Sequence, residues 1–232
     1  MFQHFIITRF NIKSKSCNKL QSDDWIKYRL KIFEKYCYPS IISQSTNNFE
    51  WIMLFDGETT DKNLLKKFKK VQPVFIFEYE KYGVNQYVYR KIIQKEIEKR
   101  IEKDWIITTR LDSDDCLHHD YIKTIQSFFD QKEKLIHFSN GYIFNPIKRE
   151  LRLAHFKGIT GFISTIENVN NGLRTCYCDK HAQVHKFFPI LDQIENETPM
   201  WLQIIHENNT SSGLQGIKII DLEKFGISDY QI

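Results

Sequence analysis

"WIITTRLDSDDCLHHDYI", residues 105–122, is the stretch whose reading decides the fold. Its opening, WIITTRL, is an unbroken apolar and β-branched run, the pattern of a strand buried on both faces of a parallel sheet. It runs directly into Asp112, Asp114 and Asp115, three carboxylates within four residues. Carboxylates so close repel one another at neutral pH, and a fold that sets them at the mouth of its core needs a compensating charge. A bound cation is the first candidate.

Working outward, the residues before this strand alternate between two periods. FQHFIITRF (2–10) reads as a strand, and SDDWIKYRLKIFEKYCYP (22–39) as a helix that opens on a Ser/Asp cap, carries Ile26, Leu30, Phe33 and Cys37 on one stripe, and stops at Pro39. The unit then repeats. NFEWIMLFDG (48–57) is a buried strand ending in Asp-Gly, TTDKNLLKKFKKV a short helix, PVFIFEYE another strand, and residues 84–103 a longer helix with Val88, Ile92, Ile93, Ile97 and Ile101 on one face. Strands separated by helices argue for parallel pairing through right-handed crossovers. The expected fold class is therefore α/β, Rossmann-like, with a mostly parallel central sheet flanked by helices.

After the acidic cluster the pattern is less regular: a helix near 119–131, a strand KLIHFSNGYIFN (134–145), a loop PIKRE, the stretch LRLAHFKGITGFIS, a short helix in CDKHAQVHKF and a late strand in MWLQIIHENNTSSG. No repeat or low-complexity linker divides the chain. The expectation is one domain over 1–232, with a regular, nucleotide-type half (1–116) and an irregular second half (117–232).

Composition narrows the function classes. The chain has 232 residues, 41% hydrophobic and 27% charged, and a formal charge of +4. Its apolar runs are far shorter than the roughly 20 residues that span a bilayer, and the N-terminus lacks a signal-peptide pattern. A cytoplasmic protein is expected, free or docked at the inner face of the membrane. Lys and Arg alternate with Glu, as in KIIQKEIEKRIEK, which suits a solvated helix face and argues against a nucleic-acid groove. Cys17, Cys37, Cys116, Cys176 and Cys178 are odd in number and irregularly spaced, so reduced thiols are expected.

In open parallel sheets ligands bind beyond the carboxyl ends of the strands. Here those ends offer Arg9, Asp56, Glu78 or Glu80, and the Asp112–Asp115 cluster. Arginine with several carboxylates suits a phosphate-bearing ligand and a hard divalent ion, Mn²⁺ or Mg²⁺, between ligand and protein. Neither a G-x-G-x-x-G turn nor a G-x-x-x-x-G-K-[ST] loop is present, which counts against dehydrogenases and P-loop enzymes.

TTRLDSDDCLHHDYI resembles the Asp-x-Asp region of glycosyltransferases with the GT-A fold. The ordered blocks HFIITRFN, YRLKIFEKYCYPSIISQS, FEWIMLFD, GITGFIS and WLQIIHENNTS are similar to those of the family described as rhamnosyltransferases. The resemblance implies that Asp114 binds the metal, that Asp112 meets the ribose or the metal's water shell, and that Asp115 supports them. It implies nucleotide contacts for Asp56 and Arg9, and makes Arg90 and Arg110 candidates for orienting the acids or meeting phosphate. His206 falls where such enzymes place a late metal ligand or diphosphate contact. The Glu-Asp pair that marks the base of many inverting members is absent; Asp179 lies in the equivalent stretch, with Glu195 and Glu197 as alternatives.

The implied activity is metal-dependent transfer of a sugar, rhamnose among the candidates, from a nucleotide-diphosphate donor to a glycan or lipid-linked acceptor in surface polysaccharide synthesis. A sugar nucleotidyltransferase or a non-catalytic glycan-binding protein of the same fold are the rivals. Asp114→Asn is expected to cost activity and leave folding little changed. Plainer readings stay open: DSDD as a helix-capping turn, Asp56 as a turn residue, Arg9 as a surface ion pair, and the other histidines as packing or surface groups. Trp201 and Tyr142 are further candidates for facing a sugar ring.

Overall fold

The computed structural model describes residues 1–12, 22–77, 79, 88–207 and 216–219. The first half is a parallel α/β unit. Strand β1 (Phe2–Arg9) leads to helix α1 (Asp23–Ile32), a π turn (Phe33–Cys37) and α2 (Tyr38–Ile42). Then come β2 (Glu50–Asp56), a 3₁₀ turn (Lys62–Leu65), β3 (Val71–Ile76), α3 (Val88–Glu98) and β4 (Trp105–Arg110). The second half contributes β5 (Cys116–Leu117), α4 (Tyr121–Ser127), β6 (Lys134–Phe138), β7 (Asn140–Asn145), β8 (Glu150–His155), β9 (Ile163–Asn168), β10 (Ile190–Ile194), β11 (Trp201–Ile204) and β12 (Ile217–Ile219).

Among the described residues these strands form a seven-stranded sheet, β10-β6-β9-β4-β1-β2-β3, and a five-stranded sheet, β12-β8-β7-β11-β5. β4, β1, β2 and β3 are mutually parallel; β1, β2 and β4 are apolar and buried over most of their length, while the edge strand β3 exposes Gln72 and Pro73. Only β9 runs antiparallel within the large sheet. Helices cover both faces. The α3 residues Val88, Ile92, Ile93 and Ile97 pack on Phe5, Ile7, Leu54 and Ile106. The α1 residues Ile26 and Leu30, with Phe33, pack on Ile6, Met53, Phe55 and Ile107.

Several local expectations are corrected. The helix does not stop at Pro39: a π turn carries α1 directly into α2, with the Tyr38 N–H donating to Phe33 O, and Pro39 is the second residue of α2. The helix expected after Asp56 is only the 3₁₀ turn, capped by Asp61, whose Oδ1 accepts the Asn63 N–H at 2.8 Å. The run 134–145 is two strands in different sheets. Ser139 breaks it by donating its N–H to Ile194 and accepting from Phe156. The described helix α3 ends at Glu98, short of residue 103, and residues 84–87 lie outside the described residues, as do Glu78, Glu80 and Cys17. Trp201 and Tyr142, at 1% and 5% exposure, belong to the core and not to a sugar-facing wall. Trp201 stacks on Phe162 and lies so close over Gly141 that any β-carbon there would clash.

Candidate functional site

The register places Arg9, Asp56 and Arg110 along one edge of the parallel strands, with Arg110 opposite Ile7 and Asp56 opposite Ile76. Beyond Arg110 the chain leaves the large sheet. Leu111 still donates to Ile7, the Asp115 N–H closes a turn onto Asp112, and β5 then pairs with β11 of the second sheet. The acidic cluster is the turn joining the two sheets, which explains its compactness.

Each carboxylate has a different partner. Asp115 is buried and its Oδ1 accepts the Ile204 N–H at 3.0 Å, tying the end of β11 to the turn. Burial, then the charges of Asp114 and Asp112, push its pKa well up. This tie sets His206, two residues on, beside Asp114: His206 Nε2 lies 2.9 Å from Asp114 Oδ2. The same oxygen receives Arg29 Nη1 at 2.7 Å, and Arg29 Nη2 donates to Ser113 Oγ at 2.7 Å. Burial alone would raise the Asp114 pKa, but the charge of Arg29 and the hydrogen bonds of His206 and Arg29 outweigh it and hold the carboxyl well below its usual range. Asp112, the most exposed of the three, turns to Arg110 at 2.7 Å.

A second group lies around Tyr177. The guanidinium of Arg9 sits 4.4 Å over the Tyr89 ring and 5.2 Å over Tyr177, whose ring also faces Arg110 at 5.6 Å. Among the described residues the Nε of Arg9 and of Arg110 is buried without a hydrogen-bond partner. The loop carrying Tyr177 is fixed from below. Glu167 is fully buried and accepts the N–H groups of Arg174 at 2.7 Å and Thr175 at 2.9 Å; Thr175 takes φ of 66°, and the Cys176 N–H reaches Thr108 Oγ1 at 2.7 Å. Burial raises the Glu167 pKa to about 7. Further along the loop, Asp179 pairs with Arg90 at 2.7 Å. The Lys180 N–H first, and then Arg90, hold its carboxyl below the usual range.

Asp56 is fully buried and works as a turn organiser. Its Oδ1 accepts from Glu58 N, Thr59 N and Thr59 Oγ1, and its Oδ2 from Tyr79 at 3.0 Å. Glu195 and Glu197 are exposed after β10, which β9 and β6 separate from β4.

The structure thus brings Asp114 and His206 together and couples Arg90 with Asp179 and Arg110 with Asp112. It adds Arg29, Tyr89 and Tyr177, which the sequence reading passed over. Arg29 had one visible signal: it lies on the apolar stripe of α1, three residues after Ile26, where a solvated arginine would not be expected. Among the described residues no group of three or more His, Cys, Asp or Glu side chains converges. The donor set nonetheless fits a divalent ion held by two protein groups, Asp114 and His206, and completed by phosphate oxygens and water, because such ions commonly keep several non-protein ligands.

The molecule is thus an α/β protein with a mostly parallel sheet that carries carboxylates and arginines at the carboxyl edge of its strands. Within that class, the chain belongs to the family described as "Putative rhamnosyl transferase", matching it over residues 5–217. No curated protein matches the sequence. Among solved structures the chain is similar to S. aureus TarS 1-349, at 11% identity and TM-score 0.51, covering 87% of this chain and 60% of that one. A longer TarS chain aligns at 11% identity and TM-score 0.49, over 88% of this chain and 37% of that one. The inositol-1-phosphate CTP transferase from T. maritima aligns at 10% and 0.39, over 87% and 89%. The present chain therefore spans less than two thirds of either TarS chain. At such identity the first likeness speaks for the fold alone, and the two lower-scoring ones add nothing to it.

Proposed function

We propose that this chain is a glycosyltransferase that moves a sugar, rhamnose in keeping with its family, from a nucleotide-diphosphate donor to a glycan or lipid-linked acceptor of surface polysaccharide synthesis, with a divalent ion as cofactor. The observation that carries the proposal is the apposition of Asp114 and His206 in the turn that follows the strand-end Arg110, at the edge where open α/β sheets bind ligands. The paired oxygen and nitrogen donors favour Mn²⁺ over Mg²⁺, whose ligands are nearly all oxygen. Bound there, the ion would offset the charge gathering on the departing nucleoside diphosphate.

The chain's own residues do the rest. Arg9 and Arg110, stiffened by the Tyr89 and Tyr177 rings, present positive charge to the phosphates. Asp112, paired with Arg110 and partly open to solvent, would meet the ribose or the ion's water shell. Asp56 shapes the base-binding edge through the turn it organises. In the transfer, the acceptor hydroxyl oxygen bonds to the anomeric carbon, the bond from that carbon to phosphate oxygen breaks, and the nucleoside diphosphate leaves with the electron pair. Asp179, held ionised and aimed by Arg90, takes the hydroxyl proton if the reaction inverts. Among the described residues no helix is long and apolar enough to cross a membrane, so a lipid-linked acceptor would be met from the membrane surface.

The test is a thermal-shift panel of nucleoside diphosphates with Mn²⁺. A ligand present at a hundred times its Kd stabilises the fold by about 2.7 kcal/mol. One nucleotide should do so and the others fall short; a flat panel would defeat the proposal.

A further inference from the structure

Arg29 has no part in the transfer chemistry described above, yet it occupies the centre of the site. It is 8% exposed and reaches from α1 to Ser113 and Asp114 in the turn that joins the two sheets. Its Nη1, Asp114 Oδ2 and His206 Nε2 form a closed triangle with sides of 2.7, 2.9 and 3.0 Å. A guanidinium only donates. If Nε2 carries a lone pair, it accepts from Arg29 but faces the lone pairs of Asp114 at 2.9 Å; if it carries a proton, it bonds Asp114 but meets a donor at 3.0 Å. No tautomer of His206 satisfies all three sides. A metal ion in place of Nη1 would satisfy the other two atoms at once, since lone pair and carboxylate would both face one positive centre.

Resting on the metal reading given above, we propose that Arg29 is the resting cation of this site: it holds Asp114 and His206 in apposition, is displaced when the divalent ion binds, and thereby keeps affinity for the free ion low. The displaced guanidinium loses its carboxylate partner and stays in an enclosed place, so displacement is favoured only when an anion arrives with the ion. A nucleoside diphosphate is such an anion. Ion and donor binding are then coupled through one side chain, and each strengthens the other by the same factor. Arg29 is a positioning residue in this scheme.

The experiment is titration of Mn²⁺ into the nucleotide-free protein, followed by electron paramagnetic resonance, for wild type, Arg29→Gln, Arg29→Lys and Asp114→Asn. Arg29→Gln should bind Mn²⁺ at least about tenfold more tightly than wild type, the result of removing a competing full charge. Arg29→Lys, which keeps the charge, should return most of the way to wild-type weakness. Equal or weaker binding by Arg29→Gln overturns the proposal. Absence in every protein of a Mn²⁺ signal that Asp114→Asn removes would instead fail the metal reading, and this inference with it. Should Arg29→Gln not fold, a crystal structure of the wild type with Mn²⁺ and a nucleoside diphosphate decides. Nη1 should have left Asp114 Oδ2, and a persisting 2.7 Å contact beside a bound ion would overturn the proposal.

Discussion

Replacing Asp114 by Asn in the metal-free protein removes the negative half of the buried pair with Arg29, whose side chains are 11% and 9% exposed. Breaking a buried pair by deleting one partner typically costs 3–5 kcal/mol, because the remaining charge is left desolvated. Asn keeps an oxygen that accepts from Arg29, and Ser113 still accepts its other nitrogen, so the loss drops to the bottom of that range or just below it: about 2–3 kcal/mol. With an m-value of about 2–3 kcal/mol/M, the urea midpoint in EDTA should fall by roughly 1 M. Adding Arg29→Gln should recover much of the loss, since the orphaned charge is then gone. The depressed carboxyl also fixes a pH dependence. The pair's stabilisation is fully present above the unfolded value near 3.8 and is lost as pH falls below it through the folded value. A midpoint within about 0.2 M of wild type, with no recovery in the double variant, would refute the reasoning.

The Glu167 carboxyl, raised from 4.5 to about 7, binds protons more readily folded than unfolded. Its contribution therefore declines as pH rises through that window, by up to about 3 kcal/mol. Glu167→Gln should flatten the difference between urea midpoints at pH 5 and pH 8, and an unchanged slope would count against it. Asp179→Asn should abolish transfer while donor and Mn²⁺ affinity persist, whereas His206→Ala should lower Mn²⁺ affinity together with rate; full transfer by Asp179→Asn would move the base to Glu195 or Glu197, or to a retaining route. Arg9→Ala should weaken nucleoside diphosphate binding by about 1–3 kcal/mol in calorimetry with little loss of stability. Asp56→Ala should lower the urea midpoint as well, because its oxygens organise the turn after β2.

The parallel core was legible because its strands are apolar on both faces and its helices keep a 3.6-residue stripe, signals that depend only on local sequence. The division of 134–145 between two sheets was not. Ser139 looks like any strand residue until Ile194 and Phe156, far along the chain, take its backbone groups. Arg9, Arg110 and the acidic turn stood out as strand ends. Arg29 did not, because its partners Asp114 and His206 lie 85 and 177 residues away. For the same reason the sequence led to the expectation that Asp114→Asn would leave folding almost untouched, where the buried arginine calls for a measurable loss.

Most directly, the central claim is tested by release of nucleoside diphosphate from a panel of nucleotide sugars, rhamnose donors included, with and without Mn²⁺, in wild type and Asp114→Asn. One donor should be turned over in a Mn²⁺-dependent manner by wild type, and Asp114→Asn should lose about 10²-fold or more of that rate, the scale of a lost electrostatic group at a reacting centre. Failure of every donor, or equal turnover by Asp114→Asn in saturating Mn²⁺, would contradict it.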